Sequence, residues 1–164
     1  MEGKACCVTG HRDIPADQVE YVKHELNKEI ENAIAEGYTR FISGFAEGVD
    51  QYFAEIVAQK METNESIRLE AALPYRSRYF KLMEDDHTKD LLAACTDLSI
   101  ISEKYAPNVY MVRNRYMVKC ADRVIAVYDG RDKGGTVSTI RLAHIQRKQI
   151  REIPLGLKLT PTEQ

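Results

Sequence analysis

The sequence predicts a three-layer α/β/α fold with a mostly parallel central sheet. Short apolar runs alternate with helical stretches along the chain, and those helices are ten or more residues long. Consecutive strands joined by such connections form βαβ crossovers, which build a parallel sheet with helices on both faces. Glycine-bearing turns also follow three of the predicted strands, as in Rossmann-like domains. With 164 residues, 44% hydrophobic and 29% charged, the chain fits one domain with a sizeable core. The expected domain is 1–159, followed by a polar tail at 160–164.

The first strand is Ala5–Val8. A helix then begins at Asp17, with Glu20 as a capping-box partner. Val19, Val22, Leu26, Ile30 and Ala33 give it one apolar face, and Gly37 closes it in a left-handed cap. Arg40–Ser43 is the second strand. Val49–Lys60 is a second helix with Phe53, Ile56 and Val57 inward. Ile67–Leu73 is a third strand, closed by Pro74. Residues 76–95 read as one helix, and Leu98–Ile101 as a fourth strand. Asn108 caps a helix whose apolar face is Val109, Val112, Tyr116 and Cys120. Arg123–Tyr128 is the most strand-like run, Thr136–Arg147 a helix, and Glu152–Leu155 a last short strand.

Charge and cysteines narrow the function classes. The 23 basic and 25 acidic side chains nearly cancel, which argues against a general polyanion binder. No stretch approaches the length of a membrane span, and the N-terminal apolar run is far too short for a secretory segment. Cys6, Cys7, Cys95 and Cys120 form no disulfide framework, so a cytoplasmic location is expected.

In an open parallel sheet, ligands bind beyond the carboxyl ends of the strands. Three turns fall there. They are Thr9-Gly10-His11-Arg12, then Ser43-Gly44-Phe45-Ala46-Glu47-Gly48-Val49-Asp50, and then Asp129 through Gly134-Gly135-Thr136. Glycine lets backbone approach a ligand, and a helix starting after such a turn directs free N–H groups at an anion. Ser43, Thr9, Thr136 and Thr139 add hydroxyls, and Arg12, Arg113 and Arg115 add charge suited to phosphate. The spacing from Gly130 to Gly135-Thr136 is that of a P-loop, but threonine stands where its lysine belongs. No G-x-G-x-x-G follows a strand.

Taken together, these segments resemble the SLOG superfamily, which groups DprA-like DNA-processing proteins with the LOG phosphoribohydrolases. The likeness is greatest to the small bacterial YpsA-like proteins. Ser43-Gly44-Phe45-Ala46-Glu47-Gly48-Val49-Asp50 is similar to the S-G-x-A-x-G-[IV]-D segment of DprA, and Arg113-Asn114-Arg115 with Gly134-Gly135-Thr136 to the family's second half. The resemblance implies a Rossmann-like fold that binds nucleotide-derived phosphates through these turns and self-associates, commonly as dimers. Ligand contacts are expected at Thr9, Gly10, His11, Arg12, Ser43, Gly44, Gly48, Asp50, Arg113, Asn114, Arg115, Gly134, Gly135, Thr136 and Thr139. LOG enzymes carry P-G-G-x-G-T-x-x-E, and the position of that glutamate is Thr139 here, which cannot act as an acid or base. An arginine of the preceding helix is retained as Arg115. A binding or regulatory protein for an ADP-ribose or NAD-like ligand is therefore expected, with no required cofactor.

Two alternatives stand beside it. One is an N-glycosidase-like enzyme using His11, Glu47 or Asp50. The other is single-stranded DNA binding, which in DprA-like proteins goes with extra modules and a more basic surface than this sequence shows. His11 is open between a phosphate or acid role and a turn cap, and Asp50 between local N–H groups and a ribose hydroxyl. Tyr75, Tyr79 and Phe80 either cover the ligand edge, with Arg76 or Arg78 reaching phosphate, or pack a helix onto the sheet. Glu84 and His87 share a helix face that a metal would need, but a solvated face explains them as well and no metal is expected.

Overall fold

A computed structural model describes residues 3–156. The expected tail at 160–164, and the end of the expected domain at 157–159, lie outside these residues. Among the described residues six strands form one sheet: β1 (Lys4–Gly10), β2 (Tyr38–Ser43), β3 (Arg68–Tyr75), β4 (Asp97–Ser102), β5 (Arg123–Tyr128) and β6 (Gln149–Pro154). Every pairing is parallel, and the order is β4-β3-β2-β1-β5-β6. The sheet is therefore parallel throughout, and the fold is the expected Rossmann-like three-layer α/β architecture.

The helices are α1 (Val19–Ala35), α2 (Val49–Met61), α3 (Arg76–Met83), α4 (Asp86–Ala94), α5 (Val109–Cys120) and α6 (Gly135–Ile145). Side chains alternate across a strand, and β1 shows the consequence. Cys6 and Val8 pack with α1, α2, α3 and α4 on one face, while Ala5 and Cys7 pack with α5 and α6 on the other. Both thiols are buried, and burial pushes the Cys6 pKa up to about 12. They act as small apolar groups.

Three sequence expectations change. The helix expected to start at Asp17 begins with a 3-10 turn over Ala16–Gln18, and Val19 opens the α-helix with Gln18 as its N-cap residue. The expected helix over 76–95 is two helices, because Asp85 turns extended and its carboxylate accepts the Thr88 N–H at 3.1 Å, capping α4. This break also takes Glu84 and His87 off one face. His87 lies 2.6 Å from Glu55 and Glu84 3.7 Å from Lys81, and no group of three or more His, Cys, Asp or Glu is placed to hold a metal among the described residues. In α5, Asn108 is the N-cap residue without a side-chain cap bond, and the buried face is Val109, Arg113, Met117 and Val118. Gly37 does follow α1 with φ +95.

The topology positions the site. The chain steps from β1 out to β4 in one direction, then crosses back to lay β5 on the other side of β1. The loops after β1 and β5 therefore diverge to opposite faces and leave a crevice between them, the place where such sheets bind ligands.

Candidate phosphate-binding cleft

A cavity of about 500 Å³ occupies that crevice. Its floor is Val8, Thr9 and Gly10 at the end of β1. The start of α6 closes one side with Gly135 and Thr136, and α5 contributes Tyr110, Arg113 and Asn114. Arg12, Asp13, Ala46, Asp50 and Arg131 complete the wall.

Arg113 organises the deep side. It is 4% exposed, and Nη1 donates to the carbonyls of Gly44 at 2.7 Å and Ala72 at 3.2 Å. Nε donates to Asn114 Oδ1 at 2.8 Å. Burial draws its pKa down, opposed by the Asp50 carboxylate, but a guanidinium remains charged in proteins. Nη2 has no protein hydrogen-bond partner among the described residues and is not sealed from the cavity. Gly44 makes this possible: a Cβ there would sit 2.7 Å from Arg113 Nη1 and 2.8 Å from Asp50 Oδ2.

The loop after β2 is bound to itself. Ser43 Oγ donates to the Asp50 carbonyl at 2.8 Å and accepts from Phe45 N–H at 3.1 Å. Asp50 Oδ2 accepts the Ala46 N–H at 3.2 Å. Burial pushes the Asp50 pKa up, while Arg113 and the Ala46 amide pull it back. Gly48, with φ +79, is the N-cap residue of α2, and a Cβ on it would fall 2.9 Å from the Arg12 carbonyl.

On the far side, Gly134 is the N-cap residue of α6 with no side-chain cap. The first-turn amides of such a helix are left for another acceptor, and its dipole favours an anion. Arg131 lies against Asp129, with Nη2 2.6 Å from Oδ2, and holds that carboxyl down at about 2. Arg12 is exposed, its guanidinium 5.4 Å from the Tyr110 ring centroid; Arg113 lies 5.6 Å from the same ring.

His11 is buried beneath the crevice and does not line it. Its Nε2 is 3.2 Å from both the Asp129 amide and Asp129 Oδ1, contacts that require opposite protonation of that nitrogen. Burial lowers its pKa, and in the neutral tautomer with no hydrogen on Nε2 the ring accepts the Asp129 amide hydrogen and ties the end of β1 to the end of β5.

Of the residues expected at the site, the cavity brings together Thr9, Gly10, Arg12, Asp50, Arg113, Asn114, Gly135 and Thr136. Ser43 and Gly44 are buried below it and Gly48 shapes its edge. Glu47 is exposed and outside it. Arg115 is exposed as well; two residues beyond Arg113, it projects from nearly the opposite side of α5. Gly134 and Thr139 line an adjoining hollow of about 330 Å³ that shares Tyr110, Asn114 and Gly135 with the cleft. There the Thr139 hydroxyl donates to the Gly135 carbonyl at 2.8 Å. Tyr75 packs edge-on to Tyr105 and Tyr110, Arg76 pairs with Glu103, Tyr79 packs against the core, and Phe80 is exposed. Sequence reasoning missed Asp13, Tyr110 and Arg131. Tyr110 stands three and four residues before Arg113 and Asn114, on their face of α5.

The model of the YspA SLOG family (YpsA) matches residues 6–155. The chain belongs to this family. UPF0398 protein BH1768 of Halalkalibacterium halodurans is 25% identical over 145 residues, covering 86% of this chain and 75% of that protein. A UPF0398 protein of Ligilactobacillus salivarius is 24% identical over 124 residues, covering 73% and 67%. Among solved structures, DNA processing protein A from Helicobacter pylori, described for its single-stranded DNA binding mode, superposes with a TM-score of 0.64 at 21% identity. The match covers 94% of this chain and 66% of that one, so this SLOG chain spans just under two thirds of its length. The structural-genomics target TM1055 superposes with a TM-score of 0.52 at 17% identity, covering 90% and 72%. These likenesses carry the fold. No helix among the described residues is long and apolar enough to cross a membrane.

Proposed function

We propose that this SLOG protein binds a nucleotide-derived phosphate, of the ADP-ribose or NAD type, in the cleft between β1 and β5. The observation that carries this reading is Arg113: a buried guanidinium with one amino group unpaired, in the wall of a cavity that the uncapped start of α6 also lines. A buried charged donor is costly to leave unmatched, and an anion in the cleft would match it together with the amides of Gly135 and Thr136. Arg12 adds charge at the mouth, where Arg131 is paired with Asp129 and Asp13. The reading is of binding rather than glycosidic cleavage: Thr139 stands at the position of the LOG glutamate, Glu47 lies outside the cavity and His11 beneath it, and Asp50, which does line it, is engaged through Oδ2 with the Ala46 amide.

A thermal-shift series with ADP-ribose, NAD, AMP and a single-stranded oligonucleotide tests this. A ligand at about 100 times its Kd stabilises the fold by about 2.7 kcal/mol. The expected result is a shift with phosphate-bearing nucleosides that Arg131→Ala weakens and Arg115→Ala leaves intact. A shift with the oligonucleotide alone, falling steeply with salt, would instead favour the activity described for DNA processing protein A. No shift with any of these compounds rejects the reading.

A further inference from the structure

The cleft is lined by Arg12, Arg113, Arg131 and the start of α6, but two carboxylates line it too: exposed Asp13, 3.5 Å from Arg131, and buried Asp50. Asp50 is 9% exposed and lines the cavity. Its Oδ2 is occupied by the Ala46 amide. Its Oδ1 has no protein hydrogen-bond partner among the described residues, and Asp50 forms no ion pair with Arg113 within 4.0 Å. A carboxylate accepts through about four lone-pair sites, and the oxygen left free here is not sealed from the cavity. An ionised carboxylate repels a phosphate oxygen at that range, whereas a hydroxyl can donate to it.

We propose that Asp50 is a specificity-determining residue that accepts a hydrogen bond from a sugar hydroxyl, so that the cleft selects a phosphorylated ribose over its deoxy counterpart. This rests on the phosphate reading above and adds the second half of the ligand. The phosphate lies toward α6, Arg12 and Arg131, and the sugar lies toward α2, with a hydroxyl on Asp50 Oδ1. The geometry around Gly44 fits a fixed acceptor: Asp50 Oδ2 and the Arg113 guanidinium both crowd the Gly44 position, and the Ser43 hydroxyl holds the Asp50 carbonyl. The carboxylate is thus fixed before a ligand arrives, and a site built to bond a hydroxyl discriminates strongly against the analogue that lacks it. The same carboxylate disfavours DNA, whose sugars lack one hydroxyl and whose other is esterified along the strand.

Calorimetric titration tests the proposal with ribose 5-phosphate, 2-deoxyribose 5-phosphate, 3-deoxyribose 5-phosphate and inorganic phosphate. Wild-type protein should bind ribose 5-phosphate at least tenfold more tightly than one of the deoxy sugars. Asp50→Ala should erase that difference while leaving inorganic phosphate affinity unreduced, and Asp50→Asn, which keeps a neutral acceptor, should restore part of it. Thermal melts of the unliganded variants establish that each is folded. Equal binding of all three sugars by the wild type overturns the proposal and leaves the phosphate reading standing. Equal losses for sugars and inorganic phosphate in Asp50→Ala overturn it too, by making Asp50 a support for the loop alone. Absence of binding by every phosphate compound rejects both readings.

Discussion

The guanidinium of Arg113 reaches across 69 residues of sequence to the Gly44 carbonyl oxygen, 2.7 Å away. The contact needs a glycine, because a Cβ at Gly44 would lie 2.8 Å from the Arg113 Cζ and from Asp50 Oδ2. Both groups are buried and held in place, Arg113 Nη1 by the Ala72 carbonyl as well and Asp50 Oδ2 by the Ala46 amide. Gly44→Ala should therefore destabilise the fold by about 1–3 kcal/mol, read as a fall in urea midpoint at unchanged slope. Gly135→Ala is the contrast. A Cβ there meets Asn114 Nδ2 at 3.9 Å, so stability should hold within about 0.5 kcal/mol.

His11 makes stability depend on pH near neutrality. Its pKa in the folded protein is lowered below 6.5 by burial, so between those two values the unfolded chain binds more protons at this site. Stability then rises with pH across that window, and the contribution of the neutral ring, complete above 6.5, is lost as pH falls through the folded pKa. His11→Gln keeps an acceptor for the Asp129 amide without the titration. Chemical denaturation from pH 4.5 to 8 should show the wild type losing stability relative to the variant as pH drops. Parallel curves would show that the ring does not titrate in this range.

Asp85 decides that α3 and α4 are two helices. Its carboxylate caps the Thr88 amide at 3.1 Å, while the Thr88 hydroxyl bonds back to the α3 carbonyl of Leu82. Asp85→Ala removes the cap and should cost about 1 kcal/mol, seen as a lowered thermal midpoint. Asp85→Asn, which keeps an acceptor, should cost less.

The fold was legible because its signals are local. Val124, Ile125 and Val127 mark β5 from Arg123 to Tyr128 with no tertiary information, and Gly37 ends α1 as expected. The errors have physical causes. An aspartate within a polar helical stretch reads as surface, so the break at Asp85 was invisible. A buried arginine also reads as surface. The apolar face that the sequence predicts for α5 accordingly runs through Val112 and Tyr116, whereas the buried line runs Val109, Arg113, Met117. That rotation is why Arg113 enters the cleft and Arg115 does not. The glycines and hydroxyls of the three turns were readable as a group, but the division of labour among them was not. The Ser43 hydroxyl is engaged within the loop, whereas Arg131 lines the cavity from the glycine-bearing turn after β5.

Asp129 supplies the acid limb of the stability curve. Arg131 bonds both of its carboxylate oxygens and donates a backbone amide to one of them, holding its pKa down at about 2 against an ordinary 3.8. A carboxyl with a depressed folded pKa contributes stability that is complete above 3.8 and is lost as pH falls through about 2. The side chain is 29% exposed, so solvent and salt screen part of the attraction. Asp129→Asn should therefore destabilise the protein at pH 5, and the deficit should shrink between pH 4 and pH 2 as the wild-type carboxylate is protonated. Added salt should shrink it at pH 5 as well. The same variant releases Arg131 from its intramolecular partner, so phosphate binding at neutral pH should strengthen while stability falls. If both fall together, Arg131 depends on Asp129 to reach the ligand and the pair acts as one unit.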